Sequence, residues 1–311
     1  MKTLRSVILL TALLLASAVG YGQQRALTST YPFNGLLLNP AYAGSLNVLS
    51  VIAVHRAQWI NIEGAPVHQA FTAHNSFMSN QVGVGLAFTH DKVGVTESFS
   101  TYASYAYKVH TSFGVLAMGL QGGFDQRRSD FTSLSLLDES DPLLNGVVSK
   151  FSPNVGLGVY FANPHMWAGA AVPWILENKT MDLPEGANSL SKSRESRYYY
   201  VTGGVIFPVS DQIKLSPSVL IRKQEQNRWS YEFTGLVIFE DIAYAGLGVR
   251  NSGEIVFLGQ LILNENFRVG YAYDAATSDL GGSTTGSHEI IVNYRIKLTN
   301  YKKHPQCPVY F

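Results

Sequence analysis

Val82-Gly83-Val84-Gly85-Leu86-Ala87-Phe88-Thr89 alternates without interruption. Successive side chains of an extended strand point to opposite faces. Val82, Val84, Leu86 and Phe88 therefore share one apolar face, and Gly83, Gly85, Ala87 and Thr89 fill the other with small groups. The pattern recurs far along the chain. Ile290, Val292, Tyr294 and Ile296 oppose Glu289, Ile291, Asn293 and Arg295, while Ile213, Leu215, Val219 and Ile221 oppose Lys214, Ser216, Ser218 and Arg222. Helical periodicity is scarce, so the chain reads as all-β.

Working outward from this stretch, the alternation predicts fourteen strands, at residues 46–60, 66–78, 82–90, 97–108, 112–125, 152–162, 165–174, 196–207, 211–223, 230–239, 242–250, 254–263, 266–274 and 286–297. Most reach the roughly 9 to 11 residues that a tilted strand needs to cross a bilayer. The connections sort by parity. Ser79–Gln81, His110–Thr111, Asn163–Pro164, Pro208–Ser210, Glu240–Asp241 and Asn264–Glu265 are tight turns, whereas 126–151, 175–195, 224–229 and 275–285 are longer, with Asn251–Gly253 a short exception. Short turns at one end and long loops at the other mark an outer-membrane barrel. No water in the bilayer satisfies backbone N–H and C=O groups, so strands cross only as a closed cylinder. The expected fold is thus a transmembrane β-barrel of about 14 antiparallel strands over residues 46–297.

The flanks read differently. Lys2 and Arg5, the apolar run Val7–Ala16 and small residues up to Gly22 have the anatomy of a secretory signal peptide, assigned to residues 1–22. Residues 23–45 are expected to form a periplasmic N-terminal segment, and residues 298–311 a periplasmic tail in which Pro305 and Pro308 argue against another strand. Both termini are then periplasmic and the protein is integral to the outer membrane. Cys307 is the sole cysteine, so no internal disulfide forms. A net charge of +1 gives no electrostatic support for a nucleic-acid partner.

Trp59, Trp174 and Trp229 fall at predicted outer strand ends and Trp167 at an inner one, as interface indoles do. No nucleophile elbow or His-Glu-x-x-His spacing is present, so no catalytic, cofactor or metal residue is assigned and the chain reads as non-enzymatic. His55, His68 and His74 are expected to line a polar lumen. The cluster Asp138, Glu139, Asp141 lacks an EF-hand pattern and reads as a solvated loop. Gly156-Leu157-Gly158 and Gly246-Leu247-Gly248 sit within strands, where glycine permits close packing rather than phosphate binding.

One constellation is more specific. Asn39-Pro40-Ala41-Tyr42-Ala43-Gly44 carries turn chemistry, followed by Arg56-Ala57-Gln58-Trp59 and Gly64-Ala65-Pro66. Together with Ser287-His288-Glu289 and a Cys307-Pro308 near Phe311, these resemble the PorP/SprF family over essentially the whole mature chain. The resemblance implies an outer-membrane barrel of the Bacteroidota type IX secretion and gliding apparatus. Its implied partners are other secretion envelope proteins or a large secreted surface protein or adhesin, some with a type B C-terminal sorting domain. Asn39, Pro40, Ala41, Tyr42, Gly44, Arg56, Gln58, Trp59, Pro66, Cys307, Pro308 and Phe311 become the candidate partner-binding or structural residues. A porin or channel for small or hydrophobic solutes is the alternative. Arg56 should face the lumen, because a lipid-facing arginine at mid-depth costs about 2–4 kcal/mol. Trp59 should sit at the rim on the lipid side, and Pro66 should start the second strand.

Overall fold

The computed structural model describes residues 27–133, 146–179, 194–225, 229–277, 282 and 284–298. Its strands are Leu49–Ala57 (β1), Val67–Phe77 (β2), Val82–Val93 (β3), Thr96–His110 (β4), Val115–Asp130 (β5), Val147–Ala162 (β6), Met166–Val172 (β7), Tyr198–Val205 (β8), Phe207–Pro208 (β9), Ile213–Gln224 (β10), Trp229–Phe239 (β11), Ala243–Arg250 (β12), Glu254–Ile262 (β13), Phe267–Ala276 (β14) and Ser287–Ile296 (β15). Each pairs antiparallel with its neighbour, and β1 pairs with β15 from Leu49↔Ile296 to Ala57↔His288. The sheet is therefore closed. β9 prolongs β8 past a break at Ile206, and both pair with β10. The wall is thus a fourteen-strand antiparallel barrel, as the alternation predicts.

Six short turns, at 78–81, 111–114, 163–165, 209–212, 240–242 and 263–266, lie at the end where β1 starts and β15 stops, called here the turn end. The opposite, loop end carries the longer connections. There the link from β3 to β4 is only Gly94 and Val95, a second short exception beside 251–253. The strands bordering it outrun their predicted limits: β5 continues to Asp130, and β6 begins at Val147 rather than at 152.

The alternation sorts the wall as expected. Val84, Leu86, Phe88, Ile290 and Tyr294 all point outward with 42–50% of their surface exposed, while Asn293 and Glu289 point in and are buried. A continuous outward apolar band would promote aggregation in water and is satisfied by lipid. The protein is accordingly an outer-membrane barrel.

Three expectations are corrected. Trp167 and Trp174 do occupy strand ends but do not face lipid. Trp167 is buried, and Trp174 packs edge-on against the inward rings of Tyr102, Tyr198 and Tyr200. Only Trp229 is openly exposed. His55 points outward beside Gln69, because it alternates with the inward Arg56.

The third correction concerns residues 23–45, expected as a periplasmic segment. Its described part lies inside the barrel, folded as three single 3₁₀ turns, Tyr31–Phe33, Gly35–Leu37 and Pro40–Tyr42. Nearly every residue from Thr28 to Ser45 is buried. This lumenal strap meets the wall on all sides: Phe33 edge-on at Tyr244, Leu36 at Gly85, Asn39 at Val159, and Tyr31 at Thr234.

Candidate functional site

The strap runs along the lumen, and its two ends are held by different physics. At the loop end, Arg56 near the finish of β1, Arg250 at the finish of β12, Asp274 on β14 and Glu289 on β15 converge because all four occupy inward positions of their strands. Arg56 donates through Nη2 to Asp274 at 2.7 Å and through Nη1 to Glu289 at 3.1 Å. Arg250 donates to Asp274 at 2.9 Å, to Glu254 at 3.0 Å and to Glu232. Two guanidiniums thus meet four carboxylates in a nearly dry layer, with Arg56 only 2% exposed.

Ser29 and Thr30 insert into this layer. The backbone N–H groups of Ser29 and Thr30 donate to the Glu289 carboxylate at 2.8 and 3.0 Å. The Ser29 hydroxyl donates to Asp274 at 2.7 Å and accepts from Arg56 at 2.9 Å and Arg250 at 2.8 Å. Buried charges survive only when paired and hydrogen-bonded, and the strap supplies donors that the surplus carboxylate oxygens require.

Farther along, Asn39 turns the chain. Its side-chain oxygen accepts from the Ala41 N–H at 2.9 Å, capping the last 3₁₀ turn, and its amide donates to the Val159 carbonyl at 2.9 Å. Tyr42 stands edge-on to His74 and Tyr160, with ring centroids 5.6 and 5.4 Å away. Here the wall yields space: a Cβ on Gly83 would sit 1.9 Å from the Ala43 carbonyl oxygen, and one on Gly119 2.2 Å from the Ala41 nitrogen. Gly44, at φ +65°, then turns toward β1 while its N–H donates to His74 at 3.2 Å. Lys108 reaches the Gly44 carbonyl and Asn80, both uncharged acceptors.

Most predicted site residues are therefore brought to one system. Asn39, Pro40, Ala41, Tyr42 and Gly44 form the strap's turn-end half, and Arg56 anchors its loop-end start. Gln58, Trp59 and Pro66 belong instead to the loop after β1, where Gln58 N–H donates to the Pro66 carbonyl at 2.9 Å and Trp59 N–H to Ser287 Oγ at 3.2 Å. Trp59 is half-buried in that loop at φ +50°, off the strand on which it was expected, and β2 starts one residue after Pro66. Cys307, Pro308 and Phe311, like Asp138, Glu139 and Asp141, lie outside the described residues. His68 faces inward and pairs with Asp91 at 2.6 Å. Ser29, Thr30, Arg250 and Asp274 escaped the sequence reading, and Glu289 entered it only as part of Ser287-His288-Glu289; for the three wall residues the signal was charge at inward positions of otherwise apolar strands.

No curated protein matches the chain. Among solved structures, the Acinetobacter baumannii outer membrane protein Omp33 is similar at 9% identity and TM-score 0.46, over 81% of this chain and all of that one. The KdgM porin is similar at 12% identity and TM-score 0.35, over 79% of this chain and 98% of its own. A mutant of the Rh. blastica porin gives 9% identity and TM-score 0.34, over 80% and 99%. A family model described as type IX secretion system membrane protein PorP/SprF matches residues 20–294. With the match spanning the strap and nearly the whole barrel, the chain belongs to the PorP/SprF family of type IX secretion system membrane proteins.

Proposed function

We propose that this protein is a non-enzymatic, plugged barrel that binds other proteins of the secretion and gliding machinery, for export or for surface anchoring of large secreted proteins. The observation that carries the reading is the strap. A wall whose lumen is crossed by its own buried N-terminal segment, hydrogen-bonded from β1 round to β15, presents rims and loops to partners rather than a path to solutes. The channel alternative would require this segment to leave. In this reading the long loops face outward and the turns face the periplasm, as barrel convention favours. The strap's beginning then opens toward the outer mouth, opposite the end of β15, a departure from the expectation that both termini are periplasmic.

Two measurements test the proposal. Pull-down of the native protein from membranes should recover type IX envelope components or a large surface protein. The purified barrel in a planar bilayer should show no steady conductance. Recovery of no such partner together with a steady open pore would establish the channel reading instead.

A further inference from the structure

At the loop end the two arginines face four carboxylates, whereas the turn end of the lumen carries positive charge that no carboxylate among the described residues offsets. Arg268 and Arg295 both point inward on neighbouring strands, since Arg268 lies opposite Asn293 and Arg295 follows two residues later on the same face. The two side chains are diagonal neighbours on the inner face, so Arg295 feels Arg268 as a like charge, and the phenols of Tyr42 and Tyr244 lie near enough to act on it too. Lys108 and the ring of His74 complete the layer. Arg295 is only 5% exposed, and its Nε donates to Asn293 at 2.7 Å. Nη1 of Arg268 is buried and donates to nothing. Among the described residues no carboxylate pairs with either arginine.

Two adjacent guanidiniums in a partly dry site repel, and each loses hydration, so the arrangement is costly unless an anion bridges them. Arginine's planar fork matches groups with two or more oxygens, which can take one N–H from each side. We infer that Arg268 and Arg295 form an oxyanion-binding site at the turn-end mouth of the lumen, taking a phosphate or carboxylate group. The phenols of Tyr42 and Tyr244 supply neutral donors beside it, and Tyr42 belongs to the strap, so the anion would tie strap to wall where the wall offers no carboxylate of its own.

The test uses the full-length protein in detergent micelles at constant ionic strength, titrated with inorganic phosphate and separately with acetate, against chloride. Calorimetry should give saturable binding of at least one oxyanion, with a rise in the thermal midpoint. Arg268→Gln should weaken binding by about tenfold or more, the consequence of losing a charge-assisted hydrogen bond. Arg128→Gln, on the exposed face of β5, should leave it unchanged. Tighter phosphate assigns a phosphoryl occupant, and tighter acetate a carboxylate. Should Arg295→Gln fail to fold, the half-buried Arg268 variant carries the test. Absence of saturable binding by both anions, or equal binding in Arg268→Gln, overturns the site.

Discussion

The two ends of the strap are fastened by opposite means. At the loop end, Ser29 and Thr30 enter a layer of two arginines and four carboxylates. At the turn end, Ala41 and Ala43 press their backbones onto Gly119 and Gly83, and Lys108 bonds a carbonyl and an amide oxygen. The difference teaches which fastening is reversible. A charged latch loses its strength when one partner leaves, because the others stay buried and unpaired. Close packing against glycine has no such cascade; it fails only if the wall thickens.

The sharpest way to break the comparison is Arg56→Met. It leaves Asp274 and Glu289 without one cation each and should cost about 3–5 kcal/mol, the usual penalty for uncoupling a buried pair. Urea unfolding of the refolded barrel, read by heat-modifiable gel mobility, measures the loss. Single-channel recording should also show intermittent openings as the strap start works free. A variant as stable and silent as the parent would show that the latch holds nothing.

Next comes Gly83→Ala. The new methyl would overlap the Ala43 carbonyl, and overpacking of this kind costs about 1–3 kcal/mol. Gly94→Ala on the loop end meets no neighbour but carries φ +55°, so it should cost only about 1 kcal/mol through backbone strain. Measuring the pair in the same assay separates crowding of the strap from strain in the wall.

Lys108→Met sharpens the contrast between the two ends. Here the deserted groups are the Gly44 carbonyl and Asn80, which are neutral, so about 1–2 kcal/mol is expected rather than the larger value for Arg56. The same unfolding assay applies. Equal losses for Lys108→Met and Arg56→Met would refute the claim that carboxylates distinguish the loop end.

Much of the wall was legible because lipid imposes one rule on every strand. Val84, Leu86 and Phe88 must be apolar whatever lies inside, and their period of two follows from backbone geometry. The extra lengths of β5 and β6 were not legible: beyond the apolar band, outward residues such as Gln126 and Arg128 meet water, and alternation no longer marks the strand. The same parity that sent Arg56 inward already implied an outward His55. Trp167 was ambiguous, since Met166, Ala168 and Ala170 on one face and Gly169 and Ala171 on the other are all apolar or small. The strap's location was invisible for another reason. Asn39-Pro40 followed by Gly44 encodes a turn, and a turn reads the same inside a barrel or outside it; only contacts from strands distant in sequence, from His74 on β2 to Glu289 on β15, decide.

Asn39 offers the finest test, because its two hydrogen bonds separate the strap's own folding from its attachment. The oxygen caps the turn beginning at Pro40, and the amide reaches across to Val159 on β6. Asn39→Ala removes both and should cost about 1 kcal/mol, within the range for lost caps. Asn39→Ser keeps an oxygen able to accept from Ala41 and gives up the bond to Val159. If capping dominates, serine restores most of the stability in the unfolding assay; if attachment dominates, serine and alanine fall together. The second outcome would mean that the turn folds only because the wall is there to receive it, with the bond to Val159 acting beside Lys108, His74 and the close approach at Gly83 and Gly119.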